Sequence, residues 1–236
     1  MIRSFNVDQS SRLRMRSALQ SSDSVPAQLQ IPTVARVKSP WREYAEALVL
    51  ALVLAACMRS FVVQAFKIPS GSMVPTLQVG DYILVNKFAY GLRLPVFNTR
   101  LVAIGAPQRD DVVVFTSPTD PSKDFIKRVV GVAGDSVEIR NKQVVINGHP
   151  WADPHAYFAD GRPNADGSRP RDNYGPVTVP PDHVFVLGDN RDRSSDSRFW
   201  GFVQSDNVRG KAVLVYWSWV GDDQWIRWGR LGDSIQ

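Results

Sequence analysis

The sequence predicts a mainly β protein: an antiparallel sheet or barrel-like catalytic domain behind one N-terminal membrane-spanning helix. Three observations carry that expectation. Short apolar runs rich in Val, Ile and Phe recur from Asp81 to Trp219, divided by Gly, Pro, Asn and Asp. One earlier segment, Ala45 to Phe66, is apolar all round and has no polar stripe. Between them lies a stretch of Ser, Gly and Pro, Phe66 to Leu77, whose composition fits neither helix nor strand.

A chain of 236 residues suits one sizeable domain with appendages, or two small ones. With 44% hydrophobic and 22% charged residues it has the makings of a core and no sign of wholesale disorder. Its net charge of +5 is modest, and no basic stripe interleaved with aromatics is present, so no nucleic-acid partner is expected. Cys57 is the only cysteine, which excludes an intrachain disulfide. His149, His155 and His183 are scattered without ligand spacing, so neither a metal nor another cofactor is expected.

Residues 1–38 mix Ser, Gln and Arg with little apolar periodicity and read as a largely disordered cytoplasmic tail. Ser39-Pro40 starts a helix, with serine as N-cap and proline at the first helical position. The charge-free core, Ala47 to Met58, is too short to span a bilayer. Extended over Ala45 to Phe66, with Arg59 reaching toward headgroups, a helix measures about 33 Å, enough for a hydrocarbon core of roughly 30 Å. A transmembrane helix over 39–66 is therefore expected. A buried soluble helix would need a polar stripe, and a cleaved secretory signal would have an overlong basic lead-in. Leu54-Ala55-Ala56-Cys57 also has the form of a lipoprotein processing site, with the same objection. Arg36, Lys38 and Arg42 against Arg59 and Lys67 place the N-terminus inside only by a narrow margin.

The remainder, 67–236, reads as an extracytoplasmic β-rich domain. Strands are expected at Asp81–Asn86, Val112–Phe115, Asp124–Val130, Val184–Leu187 and Ala212–Trp219. Ser136–Arg140 and Gln143–Ile146 make a hairpin through Asn141-Lys142. Residues 87–108 read as a loop with one extended piece, and 149–181 as an inserted ribbon with mobile loops.

Chemistry centres on Ser70-Gly71-Ser72. Glycine permits close backbone approach, and Pro69 and Pro75 stiffen the turn. A serine held there can act as nucleophile while backbone N–H groups and a neighbouring hydroxyl face an oxyanion. By itself such a tripeptide is an ordinary loop. No histidine has the context of a base. Lys127, among Phe125, Ile126, Val129 and Val130, is the alternative. At the ordinary pKa only about one lysine in 2,500 is neutral at pH 7, but burial lowers the value, and reaching about 8 costs roughly 3 kcal/mol. Read locally, Lys127 fits better a surface residue on a strand edge paired with an acid.

Four motifs occur together and in order: Ser70-Gly71-Ser72-Met73-Val74-Pro75-Thr76-Leu77; Gly80-Asp81; Lys127-Arg128-Val129-Val130-Gly131 with Gly134-Asp135; and Gly188-Asp189-Asn190-Arg191-Asp192-Arg193-Ser194-Ser195-Asp196-Ser197-Arg198-Phe199-Trp200-Gly201. The chain thereby resembles the bacterial type I signal peptidases, serine–lysine endopeptidases of the membrane. The resemblance implies Ser72 as nucleophile, Lys127 as general base, and an oxyanion hole made by the Ser72 N–H and the Ser70 hydroxyl. It implies that Ser194 is hydrogen-bonded to the lysine ammonium, that Arg128 pairs with Asp189, and that Asp196 lies beside Arg198 as bracing. It also implies pockets for small side chains at Phe66, Ile68, Met73, Leu77, Ile83, Val114, Phe125 and Ile126. Departures from the pattern are Asp110 where glycine is common, Ala133 for proline, and Arg193 for a smaller polar residue.

The expected function is removal of signal peptides from exported preproteins at the bacterial cytoplasmic membrane, with no cofactor. The signal peptide and the lipid bilayer are the expected partners. The substrate is expected to add to a strand edge near Ile83 or Asp111–Phe115. Trp217, Trp219, Trp225 and Trp228 are candidates for resting on the membrane. The alternatives are a self-processing serine–lysine peptidase and a membrane-tethered domain that binds peptides without cutting them.

Overall fold

The computed structural model describes residues 40–57, 63–93, 100–102, 104–160, 170–220 and 225–236. The expected tail over 1–38 lies outside the described residues.

Helix α1, Pro40–Cys57, has Arg42, Glu43 and Glu46 in its first two turns, with Arg42 and Glu46 paired one turn apart. At 18 residues it is about 27 Å long. Leu48, Val49, Leu50, Leu52, Val53 and Leu54 on it are each more than half exposed, although they are apolar. Among the described residues, no helix is long and apolar enough to cross a membrane. The helix expected over 39–66 is also corrected at its end. Val63–Lys67 is strand β1, because its backbone pairs in register with Tyr82–Asn86 and Phe66 packs on the core beneath.

The other strands are β2 (Asp81–Asn86), β3 (Leu92–Arg93), β4 (Arg100–Val102), β5 (Val112–Thr116), β6 (Asp124–Gly131), β7 (Ser136–Arg140), β8 (Gln143–Ile146), β9 (His149–Pro150), β10 (Tyr174–Thr178), β11 (His183–Leu187), β12 (Val203–Gln204), β13 (Val208–Val220) and β14 (Trp225–Ile226). The main sheet runs β1-β2-β13-β5-β6-β11-β12, with β14 paired to β13. It is an antiparallel, open path among the described residues. A second sheet, β10-β7-β8-β9, is built on the expected hairpin. The described parts of 149–181 supply its two outer strands, β9 and β10, while 161–169 lie outside the described residues.

Alternation explains why the Val112–Phe115 run is wholly buried. Val112 and Val114 enter one core cluster with Ile68, Met73, Leu77, Ile83 and Ile126. Val113 and Phe115 enter another, with Val129, Val184 and Val186. A strand covered on both faces needs apolar residues at every position. The start of β2 is fixed by Asp81, a buried carboxylate that accepts from Gln78 N, Ser218 Oγ and Arg230 Nη2. Gly80, just before it, has φ +93°, and a Cβ there would collide with the Trp219 carbonyl. Trp217 and Trp219 are half-buried and pack edge to face, whereas Trp225 and Trp228 are 74% and 70% exposed.

Neither β2 nor β5 offers the free edge expected for a substrate, since each is paired on both sides. The strands at the two ends of that path are β1 and β12, and β1 runs directly into Ile68-Pro69-Ser70.

Candidate active site

Ser72 sits in a short 3-10 turn, Gly71–Met73, whose backbone is tied on several sides. Leu77 N donates to Met73 O, and Asn190 N donates to Ser72 O at 3.1 Å. Met73 and Leu77 anchor the turn in the first core cluster, so Ser72 is held against a packed wall. Gly188 makes this fit possible. Any Cβ at that position would strike both the Ser194 side chain and the Ser72 carbonyl.

Lys127 comes from β6, opposite Val113 of β5. Only 5% of its surface is exposed. Its Nζ lies 2.8 Å from Ser72 Oγ and 2.9 Å from Ile126 O, with the Phe125 ring 5.7 Å away. No carboxylate pairs with it among the described residues. Burial pulls its pKa down from the ordinary value to about 8, which Asp196 and Asp189 oppose and Arg198 assists. The two opposing carboxylates are already engaged. Arg128 grips Asp189 through two bonds of 2.8 Å, and Arg198 grips Asp196 in the same bidentate way. Each carboxylate is tied to its own arginine, and desolvation is the larger effect at Lys127.

A hydroxyl within hydrogen-bond reach of an amine that is neutral in an appreciable fraction of molecules is the arrangement required to generate an alkoxide nucleophile. Ser70 is exposed, and its Oγ is 3.5 Å from Ser72 Oγ, at the outer limit of a hydrogen bond.

The bracing groups form two linked clamps. Asp189 also accepts from Thr76 Oγ1 at 2.6 Å, which joins the serine loop to Arg128. Arg128, wholly buried, donates further to Asp110 O and Gln236 O. Asp110 takes φ +73°, in the left-handed region that favours glycine. Asp196 accepts from Gly188 N, and Arg198 donates to Arg191 O and Arg171 O.

Two expectations need correction. The Ser194 hydroxyl is buried without a hydrogen-bond partner among the described residues, because its side chain is packed onto Gly188 and makes no bond to Lys127 Nζ. Phe125 also departs from the expected pocket: its ring meets Phe115 edge-on and packs with the second core cluster. The other seven apolar positions, Phe66, Ile68, Met73, Leu77, Ile83, Val114 and Ile126, do gather in one cluster. Thr76 and Asn190 were missed as site-shaping residues, although both stand inside the recognised motifs. Tyr157, which lines the cleft beside Ser72, carries no signal in its local sequence.

Residues 41–217 match the family model described as signal peptidase, peptidase S26. The chain belongs to the signal peptidase family. It is a peptidase, and its activity is the removal of signal peptides. A signal peptidase I of Pseudomonas fluorescens is 39% identical over 240 residues, covering 87% of this chain and 84% of its own. One of Pseudomonas aeruginosa is 41% identical over 209 residues, covering 75% and 72%. A crystal structure of a signal peptidase I from Enterococcus faecalis aligns with 46% of this chain and 98% of its own, at 34% identity and a TM-score of 0.38.

Proposed function

We propose that Ser72 and Lys127 form the dyad with which this chain cleaves N-terminal signal peptides from preproteins at the bacterial cytoplasmic membrane, after a small residue. The observation that carries the reading is the 2.8 Å contact between Ser72 Oγ and a buried amine that no carboxylate neutralises among the described residues. Neutral Lys127 accepts the Ser72 proton as Oγ attacks the scissile carbonyl carbon. The oxyanion is held by the Ser72 N–H and the Ser70 hydroxyl. Lys127 then returns the proton to the leaving amine, and an ester to Ser72 remains. Water, giving a proton to the same amine, attacks that ester; the acyl–Oγ bond breaks, the ammonium returns the proton to Ser72 Oγ, and the new carboxyl end leaves.

The substrate pairs in extended form with the outer edge of β1 and the Ile68-Pro69-Ser70 segment that continues it. Its small side chains meet Phe66 and Ile126, which Ile68, Met73 and Ile83 back from within the core. A wall already packed from behind favours small residues, since a large one would have to displace the core. The apolar stretch from Ala47 anchors the chain in the bilayer by a single pass, with the β domain on the extracytoplasmic side. The exposure of Leu48, Leu50, Leu52 and Leu54 supports an apolar surrounding for α1. Trp225 and Trp228 rest on the headgroup region, where exposed tryptophans are favoured.

The test is incubation of the detergent-solubilised chain with a preprotein, scored by the new N-terminus. Ser72→Ala and Lys127→Ala are each expected to abolish cleavage while circular dichroism stays unchanged. Full activity in a pure Lys127→Ala preparation would remove Lys127 from the mechanism.

A further inference from the structure

A second surface reaches Ser72 without sharing any residue of the apolar wall. It is a cleft of about 480 Å³ bounded by Ser70, Ser72, Tyr157, Ala159, Asn190 and Arg193. Its far wall is fastened to the nucleophile's own backbone. Asn190 donates from N to Ser72 O and from Nδ2 to Gly71 O, at 3.1 and 3.2 Å. Tyr157 is bonded on both sides of Asn190, with Tyr157 N donating to Asp189 O and Arg191 N donating to Tyr157 O. The cleft therefore keeps its position relative to Ser72 Oγ.

A serine nucleophile divides its substrate into an acyl half and an amine half, which extend in opposite directions from Oγ. The apolar wall accounts for the acyl half. The amine half needs another path, and this cleft is open at Ser72. At its rim stands Arg193, whose side chain is 71% exposed. Its ion-pair contact is with Asp160, at 4.0 Å and itself 56% exposed. A solvated pair at that separation holds the guanidinium weakly, so an incoming carboxylate competes for it readily.

We propose that this cleft receives the residues that follow the cut, and that Arg193 selects there for an acidic side chain. The proposal rests on the reading of Ser72 as nucleophile. It gives Arg193 a task in specificity and none in bond breaking, so its effect falls on KM more than on kcat.

The experiment uses the full chain in detergent and peptides of one cleavable sequence, with Glu, Gln or Lys at each of the first three positions after the cut. At about 20 mM salt, kcat/KM for Glu is expected to exceed that for Lys by roughly three- to tenfold at one of these positions or more. At 1 M salt, where screening acts within about 3 Å, the ratio is expected to fall below about twofold. Arg193→Glu reverses the order, and Arg193→Lys preserves it. The exposure of this side chain makes misfolding of either variant no obstacle. An order of peptides that is the same in the unaltered chain and in Arg193→Glu, with cleavage still abolished by Ser72→Ala, overturns the proposal alone. Cleavage that survives Ser72→Ala overturns the nucleophile reading, and this proposal with it.

Discussion

Lys127 and Lys142 expose 5% and 8% of their surfaces, and each has an aromatic ring within 6 Å of its ammonium group. Their company differs. Lys142 Nζ lies 2.6 Å from Asp192 Oδ1 and 3.7 Å from Asp172 Oδ1, a buried ion pair with a second carboxylate in attendance. Burial pushes the Asp192 carboxyl up, but Lys142 and the Asp160 N–H outweigh it and hold the group below its ordinary value. Lys127 has instead a serine hydroxyl and a carbonyl. Carboxylates exist near it too, but Arg128 and Arg198 occupy them. Burial alone does not decide what a lysine can do. What decides is whether neighbouring carboxylates are still available to it.

The sharpest way to break the comparison is to exchange each lysine for arginine, which cannot give up its charge at any ordinary pH. Lys127→Arg is expected to lower kcat/KM by about 10³-fold or more, because a permanently charged side chain cannot accept the Ser72 proton. Lys142→Arg keeps a cation against Asp192 and is expected to stay within about threefold. Cleavage kinetics on one preprotein would check both. A Lys127→Arg chain with more than a tenth of normal activity would place the base elsewhere.

Removing the charge turns the order around. Lys142→Met leaves Asp192 and Asp172 buried beside an apolar side chain, and a broken buried pair costs about 3–5 kcal/mol. Urea unfolding should show that loss, and adding Asp192→Asn should recover part of it. Lys127→Met strands no carboxylate and is expected to be neutral or stabilising at pH 7, although it is inactive. Equal destabilisation by the two methionine variants would mean that Lys127 has a counter-charge after all.

How far these two residues could be told apart beforehand depends on what local sequence encodes. The hairpin around Lys142 is legible, since Asn141-Lys142 between two alternating runs is a two-residue turn, and both residues take positive φ, 48° and 72°. Its partners Asp172 and Asp192 lie 30 and 50 residues on and belong to other elements, so no periodicity points to them. Lys127 was found among apolar neighbours and through the motif that contains it. Strands β2, β5, β6, β7, β8 and β11 follow from short apolar runs, whereas β1 was hidden in the tail of the apolar segment. There Val63 to Phe66 satisfies helix and strand patterns alike, and only pairing with β2 decides between them. Phe125 entered the expected pocket through the resemblance alone; on β6 it and Ile126 take opposite faces, and only Ile126 joins the first core cluster.

The smallest expected effect is also the one that ties stability to chemistry. With Lys127 at about 8 in the folded chain and 10.5 as its ordinary value, the two states bind the same protons below pH 8. There the fold bears the full cost of a charged buried amine, about 3 kcal/mol by the size of that shift. Between pH 8 and 10.5 the folded chain has lost the proton and the unfolded chain keeps it, so stability gains as pH rises through this window. Other groups titrate there too, but they are common to Lys127→Met and cancel in the difference. The unfolding free energy of the unaltered chain minus that of Lys127→Met should therefore climb by up to about 3 kcal/mol from pH 7.5 to 10.5. The same proton governs the rate: kcat/KM should rise about tenfold from pH 7 to 9 with a midpoint near 8, because about a tenth of the amine is neutral at the lower pH and about nine-tenths at the higher. A rate midpoint near 8 without the climb in stability would assign the titration to a different group, and a climb without the rate midpoint would leave Lys127 buried but chemically idle.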